Sequence, residues 1–169
     1  MNSNFFADIQ HNGTTYSLSH LNPFEISFYG QKVKKELKLS VIFSDHCFTE
    51  RADKQRRSSE RIFSLKRFNL SLMLPEILKG MCNEKVKVYQ TSARRNFAYV
   101  VQIENNGQEY NVFFEVRKNT KSKLTDLVLR VESAYVFDEG NELQYSGNIR
   151  FLILCQKIYL GEKIECRKD

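Results

Sequence analysis

Residues 96–117, NFAYVVQIENNGQEYNVFFEVR, contain two strand-forming runs joined by a short polar link. The runs 96–104 and 109–117 are rich in β-branched and aromatic residues, which fit the half-buried surface of a sheet. The link 105–108, NNGQ, contains a glycine, and such a link between two strand-forming runs is typical of a β-hairpin. This stretch therefore predicts an antiparallel hairpin as a unit of the fold.

Runs of the same kind lie on both sides of this hairpin. Residues 85–91, KVKVYQT, precede it and alternate, and the long run 126–138, DLVLRVESAYVFD, follows it. The run 149–160, IRFLILCQKIYL, is the most hydrophobic of the chain and predicts a central strand. We therefore expect a C-terminal antiparallel β-meander of four to five strands over residues 85–160.

The N-terminal part of the chain also predicts β-structure. Residues 5–10 and 14–21 flank an Asn-Gly turn, which is the strongest short hairpin signal. Two more strands are predicted over 24–29, FEISFY, and 36–44, ELKLSVIFS. These runs form a predicted N-terminal β section over residues 1–45.

Between the two β regions, residues 58–81 predict a helical segment. Apolar residues recur at helical spacing over 58–73, and Ser58 or Ser59 can cap the start of one long helix. Pro75 should end it, because proline lacks an N–H and disfavours helical geometry in the residue before it. A second, short helix is predicted over 75–81, with the proline at its first position.

Length and composition favour a single α+β domain over residues 1–169. The chain is 41% hydrophobic, which is enough for a core, and it has 13 phenylalanines and eight tyrosines but no tryptophan. Aromatic residues of this kind favour a β-rich interior. With 26 Lys and Arg against 20 Asp and Glu, the net charge of +6 is compatible with a polyanionic partner and does not identify one.

The sequence lacks the patterns that indicate a metal site, a nucleotide-binding site, a signal peptide or a membrane span. Its four cysteines are far apart, so no zinc site is expected, and no nucleotide-binding or metalloprotease motif occurs. The N-terminus does not resemble a signal peptide, and no apolar run approaches the roughly 20 residues that cross a bilayer. We therefore expect a cytoplasmic protein with free thiols, no cofactor, no metal and no membrane partner.

A basic segment lies between the N-terminal β section and the predicted helix. Residues 51–67 contain seven cationic side chains against Asp53 and Glu60. The seven are Arg51, Lys54, Arg56, Arg57, Arg61, Lys66 and Arg67. On the predicted helix, Lys66 and Arg67 lie inside the apolar arc or at its edge, so they either extend along the helix border to solvent or line a positive pocket. The sequence leaves both interpretations open.

His46 and Tyr135 are two further candidates for a catalytic or binding role. His46 follows the strand predicted over 36–44 and precedes the basic segment, so its imidazole is either a general acid or base or an ordinary surface histidine. Cys47 adjoins it, but neighbours in a strand point to opposite faces, which disfavours a Cys-His dyad. Alternation along 126–138 places Tyr135 on the same face as Leu129 and Val131, where it either ends a packed row or contacts a base or phosphate.

The arrangement resembles the barnase–EndoU–colicin–RelE group of small ribonucleases over about residues 58–160. The likeness is one of architecture: a helical segment followed by a four-stranded meander, with His, Arg, Lys and Tyr as the reactive side chains. It implies metal-independent cleavage, in which the 2′-OH of the RNA attacks the phosphate and the protein supplies acid, base and cations. By residue type, His46 would be acid or base, Arg61 and Arg67 would neutralise the phosphate, and Tyr135 would orient or stack.

Three hypotheses for the function follow. The first is a toxin-like effector of a bacterial toxin–antitoxin or phage-defence system that cleaves RNA and is neutralised by an acidic partner protein. The second is a non-catalytic module that docks a nucleic acid or an acidic protein on the basic segment 51–67, with binding that weakens with salt. The third is an unrelated enzyme or a structural subunit.

Overall fold

A seven-stranded sheet organises the chain. The computed structural model describes residues 4–53, 59–92, 96–102 and 107–168. The strands are β1 (Ile9–His11), β2 (Thr14–Tyr16), β3 (Phe24–Gly30), β4 (Lys35–Phe43), β5 (Thr49–Arg51), β6 (Arg61–Phe63), β7 (Lys87–Thr91), β8 (Phe97–Gln102), β9 (Glu109–Lys118), β10 (Leu127–Val136) and β11 (Tyr145–Arg150). The helices are α1 (Leu65–Ser71), α2 (Leu74–Gly80) and α3 (Phe151–Leu160), with short 3₁₀ turns at Ser19–Leu21 and Asp45–Cys47. The broad α+β class is therefore confirmed.

The strand order of the large sheet is β11-β7-β8-β9-β10-β4-β3. From β7 to β10 each strand is antiparallel to the next, as the alternating runs predicted. The hairpin β3–β4 then joins this meander because β4 pairs with β10 in parallel, from Leu39↔Leu127 to Phe43↔Val131. Strands β3 and β4 of the N-terminal β section are thus part of the same sheet, while its hairpin β1–β2 and the pair β5–β6 form separate two-stranded ribbons.

The predicted long helix over 58–73 is wrong. Residues Arg61–Phe63 form β6, which pairs with β5, and α1 begins only after Ser64. The pairing with β5 has overridden the helical periodicity of the sequence, as tertiary contacts often do. The short second helix is confirmed as α2, with Pro75 in its first turn.

The predicted central strand over 149–160 is also wrong, because most of that run forms α3. Phe151, Leu154 and Cys155 are buried at helical spacing, and the helix ends at Gly161 in the left-handed conformation. A run that is apolar almost throughout has no clear period, so the sequence could not separate a buried strand from a buried helix. The strand β11 that precedes α3 lies at the edge of the sheet.

A β-bulge in β10 changes which of its side chains are buried. The register with β9 shifts between Val131 and Ser133, so Glu132 is the extra residue. Leu127, Leu129 and Val131 are buried before the bulge, whereas Ala134 is buried after it. Tyr135 therefore does not continue the buried row, and the prediction that the two halves of the strand share one face fails beyond Val131.

None of the helices in the described part of the chain is long and apolar enough to cross a membrane.

The C-terminal segment is fixed to the sheet edge through β11. Asn148 and Arg167 form a two-way backbone bridge, with N···O distances of 2.8 and 2.9 Å. Gly147 precedes this bridge with φ +158°, and a Cβ at that position would lie 2.6 Å from the carbonyl oxygen of Arg167. The close approach of the two backbones therefore requires glycine.

We expect Gly147→Ala to lower the free energy of unfolding by about 1–3 kcal/mol, because the methyl group must displace the backbone of the C-terminal segment. Chemical denaturation measures this change. Gly80→Ala is the matched control, since a Cβ there meets nothing within 4 Å in the described part of the chain, and it should change the stability by less than about 1 kcal/mol. Equal stabilities for the two variants would contradict the argument.

Candidate functional site

The parallel junction of β4 and β10 places His46 beside the bulge of β10. Directly after β4, the backbone N–H of Ser44 donates to the carbonyl of Val131 at 3.0 Å, and its hydroxyl donates to the carbonyl of Glu132 at 2.6 Å. The same hydroxyl accepts from the backbone N–H of His46 at 3.1 Å and so caps the 3₁₀ turn. The position of His46 is therefore set by the end of β4 and by the bulge together.

Two arginines converge on Thr49, a buried residue in the first position of β5. Arg61 donates from Nε to the Thr49 hydroxyl and from Nη2 to the Thr49 carbonyl, both at 2.7 Å. Arg67 donates from Nη1 to the same carbonyl at 2.9 Å and to the carbonyl of His46 at 3.1 Å. The Thr49 hydroxyl in turn donates to the carbonyl of Asp45 at 2.8 Å. Neutral backbone and hydroxyl oxygens thus orient both guanidinium groups.

An aromatic cluster on β9 and β10 supports Arg67. The Cζ atom of Arg67 lies 4.7 Å from the centre of the Tyr135 ring, which is a cation–π distance. The Tyr135 ring stacks on Phe113 at 5.3 Å and meets Phe137 edge-on at 5.4 Å. The Tyr135 ring therefore contacts Arg67, Phe113 and Phe137, and it helps to hold the Arg67 guanidinium in place.

These groups line a cleft of about 560 Å³ between α1, the ribbon β5–β6 and the end of β10. We call it the cationic cleft. Its charged lining residues are Arg51, Arg61, Lys66 and Arg67 on the positive side and Glu50 and Asp138 on the negative side, with His46 at the rim. Among the described residues, neither Arg61 nor Arg67 forms an ion pair with a carboxylate. Within that part of the chain, the cleft therefore offers guanidinium donors that no internal anion neutralises.

The electrostatics of the cleft favour an unprotonated imidazole. Partial burial lowers the pKa of His46, and the positive charges of Arg61 and Arg67 lower it further. Asp45 opposes this effect from 3.9 Å, measured between its Oδ1 and the imidazole Nε2. Burial and the neighbouring Arg67 likewise lower the pKa of Arg61. The positive charges of the cleft thus repel one another, and a bound anion would reduce this repulsion.

The structure brings together six of the nine residues singled out from the sequence. His46, Arg51, Arg61, Lys66, Arg67 and Tyr135 all line the cationic cleft. Lys54, Arg56 and Arg57 lie outside the described residues. The sequence did not indicate Thr49, whose contribution is largely a backbone carbonyl, nor the lining residues Ser64 and Asn141.

Cys47 takes no part in the cleft, although it adjoins His46. Its side chain is fully buried, and burial raises the pKa of its thiol to about 12. A nucleophilic thiolate is therefore disfavoured there. Within the described part of the chain, no group of three or more His, Cys, Asp or Glu side chains is placed to hold a metal ion.

Comparison with known proteins identifies one family. The model of the YjaZ family matches residues 8–159, a span that includes every residue of the cationic cleft. No curated protein and no solved structure matches the chain.

We expect Arg61→Gln to raise the pKa of His46, because the substitution removes the strongest of the positive charges that act on the imidazole. A pH titration of the imidazole Cε1–H signal by NMR measures the shift. Arg117→Gln is the charge-matched control, since that guanidinium pairs with Glu115 and is not among the groups that shift His46. The same His46 pKa in wild type and Arg61→Gln would refute this account of the cleft.

Proposed function

The chain belongs to the YjaZ family, and we propose that its cationic cleft binds the phosphate backbone of RNA and cleaves it without a metal ion. The observation that carries the proposal is the pair of guanidinium groups held on the Thr49 carbonyl with no carboxylate partner among the described residues. A phosphodiester is an acceptor-only anion, and guanidinium groups match its geometry with two parallel hydrogen bonds. The proposal rests on the cleft alone.

The architecture of the site supports binding of a polymer. The cations of the cleft are spread over α1, β5 and β6, so adjacent phosphates of one strand can contact different side chains. Arg61 and Arg67 are both part-buried, where electrostatic attraction is less weakened by water than at the surface. Lys66 and Arg51 are exposed at the edge, where they can attract a polyanion over a longer range.

Cleavage in this cleft follows the chemistry of metal-independent ribonucleases. The lowered pKa of His46 favours the neutral imidazole, which can accept the proton of the ribose 2′-OH as a general base. The 2′-oxygen then forms a bond to phosphorus, and the bond from phosphorus to the 5′-oxygen breaks, which leaves a 2′,3′-cyclic phosphate. The 5′-oxygen takes a proton from the Lys66 ammonium group or from water. Arg61 and Arg67 stabilise the additional negative charge of the pentacovalent phosphate.

The biological setting that fits this activity is a toxin-like effector. An enzyme that cuts the RNA of its own cell would harm that cell unless it were restrained. We therefore extend the proposal to a bacterial toxin–antitoxin or phage-defence system with an acidic protein that covers the cationic cleft. The complementary charges would speed association of the two proteins and make it dependent on salt.

A second candidate function is binding without catalysis. It is favoured by the loose setting of the imidazole, whose nearest carboxylate oxygen among the described residues, Asp45 Oδ1, is 3.9 Å away, beyond hydrogen-bond distance. His46 is also the one histidine among the described residues that line the cleft. The same cations would then dock a nucleic acid or an acidic protein as a recognition module.

We expect His46→Ala to lower the rate of RNA cleavage by about 10²–10⁴-fold in EDTA while the affinity for RNA stays the same, because the imidazole moves a proton and does not hold the strand. The double variant Arg61→Ala/Arg67→Ala should instead weaken binding and make its salt dependence shallower, by roughly 0.7 in log–log slope for each phosphate that is no longer neutralised. Fluorescence anisotropy and a gel assay of labelled RNA measure the two quantities.

Lys163→Ala is the control for charge, because this lysine is exposed and pairs with Glu165 away from the cleft residues. Unchanged RNA affinity in the arginine variant would refute the cleft as the binding site. Binding without cleavage by the wild type would refute the ribonuclease and leave the second candidate function.

We expect Tyr135→Phe to retain RNA binding, because the aromatic ring under the Arg67 guanidinium is preserved when only the phenol oxygen is removed. Tyr135→Leu removes the cation–π interaction and should weaken binding by about 2–30-fold. Anisotropy titrations at one salt concentration compare the two variants. Equal weakening in both would show that the hydroxyl, and not the ring, is what matters.

A further inference from the structure

A second concave surface adjoins the cationic cleft. Its volume is about 500 Å³, and the residues that line both concavities are Lys66, Val136, Phe137, Asp138 and Asn141. Beyond these shared residues it reaches Asn111 on β9. We call this second concavity the polar annex. Because the two surfaces share a border, a ligand that occupies the cationic cleft can extend into the annex.

Asn111, a residue that lines the annex, has a hydrogen-bond acceptor without a partner among the described residues. The residue is completely buried on β9, opposite Tyr135. Its Nδ2 donates to the carbonyl of Glu109 at 3.1 Å, which fixes the orientation of the amide. Its Oδ1 has no hydrogen-bond partner in the described part of the chain. Buried polar atoms in folded proteins nearly always have partners, so an acceptor without one, in the wall of a cavity, indicates a donor supplied from outside.

The charges of the annex define the kind of donor. Among the described residues that line it, the acidic side chains are Glu109, Asp138 and Glu139, against the single cation Lys66. With more carboxylates than cations among its described residues, the annex is a poorer site for a phosphate than the cationic cleft. An uncharged or weakly basic group with N–H donors suits the annex, and the ring of Phe137 at the shared border offers a flat apolar contact.

We propose that the polar annex is a nucleobase subsite for a base with an exocyclic amino group, which donates to Asn111 Oδ1 while its phosphate lies in the cationic cleft. Adenine, cytosine and guanine carry such a group, and uracil does not. The one N–H donor on the pairing edge of uracil, N3–H, is flanked by two carbonyl oxygens, which the carboxylates of the annex disfavour. Single-stranded RNA is the form that can enter, because its bases can turn away from one another and stack on aromatic side chains. This inference rests on the proposed binding of RNA and adds base preference to it.

The experiment compares short homopolymers of adenosine, cytidine and uridine with 2′-O-methyl riboses, which cannot be cleaved. Wild-type protein should bind the adenosine and cytidine polymers about tenfold more tightly than the uridine polymer. Asn111→Leu removes the acceptor but keeps the side-chain volume, so it should fold as stably as wild type and bind all three polymers equally. Asn69→Leu, the same change at an exposed position of α1, should keep the preference.

The outcomes separate the subsite from the proposed function. Equal binding of the three polymers by wild type, unchanged in Asn111→Leu, overturns the nucleobase subsite and leaves RNA binding in place. No binding of any polymer overturns both. A preference that Asn111→Asp retains and Asn111→Leu abolishes supports the subsite, because aspartate keeps the acceptor oxygen.

Discussion

The parallel pairing of β4 with β10 is the constraint on which the rest of the structure depends. It joins the N-terminal hairpin to the C-terminal meander and so turns two regions of the chain into one sheet. Because the two strands run in the same direction and pair as far as Phe43 and Val131, the end of β4 lies beside the start of the bulge in β10. The turn that carries His46 therefore contacts the bulge that precedes Tyr135, and both His46 and Tyr135 line the cationic cleft.

Much of the sheet could be predicted because strands with one buried face carry an alternating pattern. The two runs 96–104 and 109–117 and the pair 24–29 and 36–44 correspond, in the part of the chain that the structure describes, to strands β8, β9, β3 and β4 within a few residues. The errors arose where that pattern was absent. The run 149–160 is apolar almost throughout, and the strand Arg61–Phe63 is defined by its partner β5 and not by its own sequence.

The candidate site was partly predictable for a similar reason. Cations and an imidazole close together in sequence are visible as side-chain types, and six of the nine residues singled out do line one cleft. The element that holds the arginines was invisible, because a backbone carbonyl such as that of Thr49 is present at every position of every sequence. The bulge at Glu132 was equally hidden, since an extra residue in one strand shows only when its partner is known.

The separation along the chain of the two paired strands sets an order of folding. Leu39 and Leu127 are partners although they are 88 positions apart (127 − 39), so their pairing closes a long loop. Local hairpins can form early, whereas this pairing must wait until β10 has left the ribosome. A nascent chain that ends before β10 therefore contains Arg61, Arg67 and His46, but it lacks the strand that forms one side of the cationic cleft. The cationic cleft is therefore assembled late in synthesis, after most of the chain has been made.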